Sequence, residues 1–231
     1  MSNYVIIPGG YHGGWWFQPV VDALRAHGHE AVAVTLTGVG ERHHLVSSTN
    51  LETHIQDVLN VLDYEDLDDV VLCAHSYGGM VATAVADRAA ERIASLVFLD
   101  AQIPRDGESL WELTSESERQ RFVASTRDGV LTEPPPGLDP RATAHPFACF
   151  LQPLRLTQGL DPIRRKVFVW MSGWPDSPLA GMYDRVSDDP GWHVEVWPNG
   201  HDIIGEACQA TIELLLREGQ EDDEALTQPS T

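Results

Sequence analysis

No apolar run in these 231 residues approaches the roughly 20 needed to span a bilayer, so neither a membrane protein nor a membrane partner is expected. Cysteine is scarce. Cys73, Cys149 and Cys208 are widely spaced, odd in number and form no C-x-x-C pair, which suits a reducing compartment and argues against a structural zinc site. Basic residues are few as well: 15 Lys and Arg stand against 35 Asp and Glu, and the net charge of -20 would repel phosphate backbones and anionic lipid. No nucleic-acid partner is expected. The opening MSNYVIIPGG lacks a basic segment ahead of an apolar core, so the expectation is a cytoplasmic protein without a signal peptide. Histidines at metal-ligand spacing such as H-E-x-x-H are missing, as are G-x-G-x-x-G and Walker loops, so no metal and no organic cofactor are implied. Nothing here excludes a homodimer.

What the chain does have is an ordinary soluble balance, 42% hydrophobic and 22% charged, in a length that suits one large α/β domain. Short β-rich runs recur at 4–7, 31–36, 69–74, 95–100, 166–171 and 193–197. Most are continuously apolar, as strands covered on both faces must be. Helical spacing fills the gaps. Residues 15–27 place Phe17, Val20, Val21 and Leu24 on one face and stop at Gly28, and residues 50–62 open with Thr49 three before Glu52, a capping-box spacing. Residues 78–90 and 205–217 supply two more helices. Strand and helix in alternation predict a mainly parallel, doubly wound sheet of about six strands. The interval 104–163 breaks the rhythm with several prolines and no strand signal; too long for a plain loop, it reads as a small helical cap inserted into a core of 1–103 and 164–217. The polar, acidic stretch 218–231 reads as a disordered tail.

Within LCAHSYGGM, residues 72–80, Ser76 stands between a strand-like run and a helix-like run. A hydroxyl attacks well only if a sharp turn exposes it beside a base, and such a G-x-S-x-G elbow needs small residues two positions either side. Ala74 and Gly78 occupy those places, with Gly79 next. Two backbone amides must also face the oxyanion. Tyr77, at the predicted helix start, is one candidate, and Gly10 in the glycine-rich IIPGGYHGGWW after the first strand is the other. Of ten histidines, His201 alone follows the last strand and precedes the last helix, which leaves it on the same sheet edge as Ser76.

Taken together, PGGYHGGWWF, LTGVGERHHL, the run from LETHIQDV through HSYGGMVATAVADR, LVFLDAQIPRDGESL and GWHVEVWPNGHD resemble the α/β-hydrolase superfamily. Within it they are similar to bacterial relatives of plant methyl esterases, hydroxynitrile lyases and pyrethroid hydrolases. The resemblance spans residues 4–217 and implies the α/β-hydrolase fold, with Ser76 as nucleophile, His201 as base, and Gly10 and Tyr77 as oxyanion hole. It leaves two acids open. The usual acid follows the penultimate strand, where VFVWMSGWPDSPLAG has Trp174 or Pro175 in the aligned place and Asp176 one or two residues late. The alternative position, used in haloalkane dehalogenase-like members, is the end of the preceding strand; Asp100 stands there and is preferred to Asp176, with Asp202 a poor third.

Ser76 excludes halide displacement, which needs a carboxylate nucleophile. Plant hydroxynitrile lyases carry a lysine after the base and a threonine in the first turn, where this chain has Asp202 and Gly9, so cyanohydrin cleavage is disfavoured. What the resemblance implies is a serine hydrolase acting on a small hydrophobic or aromatic carboxylic ester. The alternatives are a thioesterase, cyclase or lyase with the same triad, or a non-catalytic ligand receptor, because one scaffold serves many chemistries. Substrate-binding candidates are Tyr11, His12, Trp15, Trp111, Phe122 and Phe150, with Trp16, Phe147 and Leu151 nearby, although each could equally pack the cap onto the sheet. His12 is expected to brace the glycine-rich loop.

Overall fold

A computed structural model describes residues 1–175 and 177–225, the last five as helix backbone only; Asp176 lies outside the described residues. The first strand, β1 (Asn3–Ile7), sends alternate side chains to opposite faces. Val5 and Ile7 join a core with the helices Leu51–Tyr64 and Gly78–Arg88, whereas Tyr4 and Ile6 join a second core with the helix Gln18–Ala26. That alternation is why the strand reads as continuously apolar: both faces are covered.

After a short 3-10 turn, α1 (Gln18–Ala26) starts with Pro19 in its first turn and ends before Gly28, whose φ of +85° only glycine adopts without strain. Next come β2 (Glu30–Ala33) and α2 (Leu51–Tyr64). The α2 cap is one residue later than the sequence spacing suggests: Asn50 and Thr53, rather than Thr49 and Glu52, exchange the reciprocal bonds. Thr49 instead donates to the Leu45 carbonyl. Strand β3 (Val70–Ser76), helix α3 (Gly78–Arg88) and strand β4 (Ile93–Ala101) form the centre of the domain, and β4 is buried almost throughout.

The cap holds α4 (Leu110–Leu113), α5 (Glu116–Ser125) and α6 (Ala148–Leu151), as its helical patches suggest. It also holds a small antiparallel sheet of β5 (Thr126–Arg127), β6 (Leu131–Thr132) and β7 (His145–Pro146). Two-residue strands carry no periodicity, so no sequence pattern announces them. The chain returns to the main sheet through β8 (Lys166–Met171), α7 (Ala180–Val186) and β9 (His193–Trp197), and closes with α8 (Ile203–Glu206) and α9 (Cys208–Ala225).

The six long strands pair in the order β2-β1-β3-β4-β8-β9, every pair parallel. Their carboxyl ends therefore share one edge, and the loops that follow them meet there. Helix α9 runs eight residues beyond the expected end at 217. The cause is Glu218, which is buried and accepts hydrogen bonds from Ser95 at 2.8 Å and from Arg165 at 2.9 Å, so the acidic segment is anchored where it begins. Residues 226–231 of the expected tail lie outside the described residues. Among the described residues, no helix is long and apolar enough to cross a membrane.

Candidate active site

Three non-glycine residues take positive φ where three neighbouring segments leave the sheet: Tyr11 (+72°) in the loop after β1, Ser76 (+51°) at the end of β3 and Asp100 (+43°) near the end of β4. L-residues avoid this region unless their surroundings hold them there, and such strain collects at functional sites. The surroundings here are backbones packed without side chains between them. A Cβ on Gly78 would lie 2.6 Å from the Ile7 carbonyl oxygen and 2.8 Å from that of Pro8. One on Gly9 would lie 2.8 Å from His75 Nδ1 and 3.0 Å from Ser76 Cβ, and one on Gly79 would sit on the Gln102 carbonyl. The crowding around Ser76 thus involves Gly9 and Gly79 as well as Ala74 and Gly78.

Asp100 is fully buried and places one carboxylate oxygen 2.6 Å from His201 Nδ1, while the other accepts from the Met171 amide at 3.3 Å. His201 arrives on the loop after β9. Its carbonyl accepts from His75 Nε2 at 3.1 Å, and its ring lies between those of His75 and Trp174, with centroids 4.5 and 4.6 Å away. The stack continues from His75 to Trp16 at 4.9 Å and from Trp16 to His12 at 4.7 Å. Burial, first of all, and then the neighbouring imidazoles hold His75 well below the usual histidine range, and burial likewise lowers His12. Asp202 turns away and caps α8 by accepting from the Gly205 amide at 2.9 Å.

The glycine-rich loop is braced from two sides. His12 Nδ1 donates to the Gly10 carbonyl at 3.0 Å, and the Tyr11 amide donates to His145 Nδ1 at 3.2 Å. Tyr77 stands at the start of α3, where the first amides have no carbonyl within the helix. Its hydroxyl points away from the sheet edge and donates to His54 Nδ1 at 2.8 Å, because His54 Nε2 already donates to the Thr37 carbonyl at 2.7 Å. Burial pushes His54 down to about 4, drives His145 well below its usual value and raises the Tyr77 phenol and the Cys149 thiol. His54, His145 and Cys149 bring possible ligand atoms within 4.8 Å of one another. Both His54 nitrogens are engaged, however, and the cluster serves as a neutral hydrogen-bonded support behind the site.

Ser76, His201, Gly9, Gly10, Tyr11, His12, Tyr77, Phe122 and Phe150 all line one cavity of about 350 Å³ beneath the cap. Trp15 and Trp111 do not line it. Trp15 lies beneath the Arg141 guanidinium at 3.9 Å, and Trp111 packs on Phe147 with Arg119 above it, so both make packing contacts with cap residues. Trp16 belongs to the ring stack, and Leu151 is exposed. Sequence reasoning missed Trp174, Leu179, Leu110, Leu138, Glu118 and Arg121 among the lining residues. For Trp174 there was a signal: it follows β8 on the same edge as Ser76.

The sequence pattern of the Alpha/beta hydrolase family matches residues 4–224. A carbendazim hydrolyzing esterase from Nocardioides sp. (strain SG-4G) is 37% identical over 227 residues, covering 88% of this chain and 94% of that protein. Methylesterase 9 of Arabidopsis thaliana is 36% identical over a shorter stretch, 45% of this chain and 41% of its own length. Among solved structures, an extracellular alpha/beta-hydrolase from a Paenibacillus species superposes with a TM-score of 0.81 at 19% identity, over 95% of this chain and 99% of that one. A pyrethroid hydrolase superposes with a TM-score of 0.73 at 17% identity, over 95% and 98%.

Proposed function

The chain belongs to the alpha/beta hydrolase family, and on that premise we propose that it is a serine hydrolase cleaving a small, largely apolar or aromatic carboxylic ester through an acyl-enzyme. The observation that carries this reading is the 2.6 Å contact between buried Asp100 and His201 Nδ1 on the cavity into which the Ser76 elbow opens. With Nδ1 bonded to the carboxylate, His201 Nε2 is the nitrogen that takes the Ser76 proton as Oγ adds to the ester carbonyl. The amides of Gly10 and Tyr77 receive the oxyanion. His201 then protonates the departing alcohol, activates water against the acyl-enzyme and returns the proton to Ser76. Asp100 stays ionised throughout and balances the imidazolium.

The relatives described as esterases support the ester bond as the target, and the apolar walls of Phe122, Phe150, Leu110 and Leu138 support an apolar or aromatic substrate. Cyanohydrin cleavage is disfavoured by the same geometry: Asp202 caps a helix where the lyases have lysine, and a threonine at Gly9 would collide with His75 and Ser76. The test uses a fluorophosphonate probe and p-nitrophenyl acetate. The intact protein should be labelled at Ser76 and turn over the ester, and Ser76→Ala should abolish labelling and lower kcat by about 10³-fold or more. An intact protein that is neither labelled nor active would overturn the proposal.

A further inference from the structure

Among the described residues that line the cavity, four have a buried polar atom without a hydrogen bond of ordinary geometry: His75 Nδ1 and Gln102 Oε1, which accept, and two that donate. The donors are Arg121 Nη1, from cap helix α5, and the Tyr11 hydroxyl, from the loop after β1; both are buried and close enough to attract each other, yet no hydrogen bond of ordinary geometry joins them, and both residues line the cavity shared by Ser76 and His201. A buried donor left unpaired is costly, so such atoms point to something that binds between them. The rest of the Arg121 guanidinium is engaged: Nε and Nη2 face the Glu118 carboxylate at 3.2 and 2.7 Å, which fixes the fork and leaves Nη1 directed elsewhere. Burial raises the Tyr11 phenol to about 12, so its hydroxyl keeps its proton and can donate.

Resting on the hydrolase reading above, we propose that the substrate carries a neutral hydrogen-bond acceptor, remote from the scissile ester, that is received by Arg121 Nη1 and the Tyr11 hydroxyl. An acceptor is required because Arg121 Nη1 can only donate and the protonated Tyr11 hydroxyl can donate beside it. Neutrality follows from Glu118, which balances the Arg121 charge beside the cavity, and from the net charge of -20, which disfavours an anion. A ketone, amide or aromatic ring nitrogen fits. Sites built to bond a polar group discriminate strongly against its apolar isostere, because the isostere leaves the site's own groups unpaired.

The experiment compares para-acetyl with para-isopropyl partners in two series, methyl benzoates and phenyl acetates, so that the acceptor is offered on either side of the ester. The ratio of kcat/KM between partners is measured for the intact protein, Arg121→Met and Tyr11→Phe. Intrinsic reactivity cancels when ratios are compared between proteins. In one series each variant should reduce the preference for the acetyl partner by about tenfold, equivalent to about 1.4 kcal/mol. Ratios unchanged in both variants and both series would overturn the inference, and water bound to the two donors would then account for them. Kd values for the corresponding N-methyl benzamides give the same comparison without turnover. Fluorophosphonate labelling of Ser76 reports on the hydrolase reading separately, and thermal unfolding reports on the fold. Loss of discrimination in Kd with labelling absent would uphold the acceptor contact and reject the hydrolase; labelling with no discrimination would do the reverse.

Discussion

Asp100 combines two properties that one substitution separates. Its positive φ is tolerated by asparagine at least as well as by aspartate, so Asp100→Asn should keep the turn at the end of β4. What it loses is the charge beside His201 and the acceptor that holds Nδ1 protonated. Under the proposed mechanism kcat for p-nitrophenyl acetate should fall by roughly 10³–10⁴-fold with little change in Tm, as in other triads. Steady-state kinetics together with a melting curve check this, and near-normal turnover would move the acid elsewhere. At this scale legibility depended on context. Ser76 and His201 are readable because strand and helix signals flank them, and Asp100 because it ends a strand whose place in the order could be counted. Arg121 is hidden: a basic residue among the acidic neighbours of α5 reads as a solvated helix face, and only the folded cap turns it inward.

For the elements, glycine geometry decides which contacts are rigid. A methyl group at Gly79 would meet the backbone of Gln102, which cannot rotate aside, so Gly79→Ala must push α3 away from the end of β4. It should lower stability by about 1–3 kcal/mol and reduce activity as well, because the same shift moves the elbow. Gly181 in α7 is the contrast: a Cβ there meets nothing within 4 Å, and Gly181→Ala should raise stability by roughly 0.5–1 kcal/mol. Urea denaturation of both variants measures the pair, and equal effects would contradict the packing argument. The strands were legible because burial on both faces leaves an unbroken apolar run. Cap strands β5, β6 and β7 were not, since two residues cannot show a period. The continuation of α9 past 217 was hidden too, because an acidic composition does not disclose that Glu218 meets Ser95 and Arg165.

Across the whole molecule, several histidines are folded into the interior without charge, and this sets the response to acid. His54 titrates near 6.5 when unfolded and at about 4 in the fold, and His75 and His145 are shifted in the same direction. Between those values the unfolded chain binds more protons. The stability is therefore complete above pH 6.5 and is lost as pH falls towards 4. For His54 alone the loss is about 2 kcal/mol by pH 5, a range in which most carboxylates remain ionised. Urea midpoints at pH 7.5, 6 and 5 should fall in that order, and a flat or rising series would refute the argument. The stack of His12, Trp16, His75, His201 and Trp174 gives this neutrality a local meaning. Three imidazoles belong to this series of touching rings, and charge on His201 opposes charge on the other two. Under the proposed mechanism, a proton taken up by His201 makes a second one on His12 or His75 still less favourable, so the neutral rings insulate the base instead of competing with it.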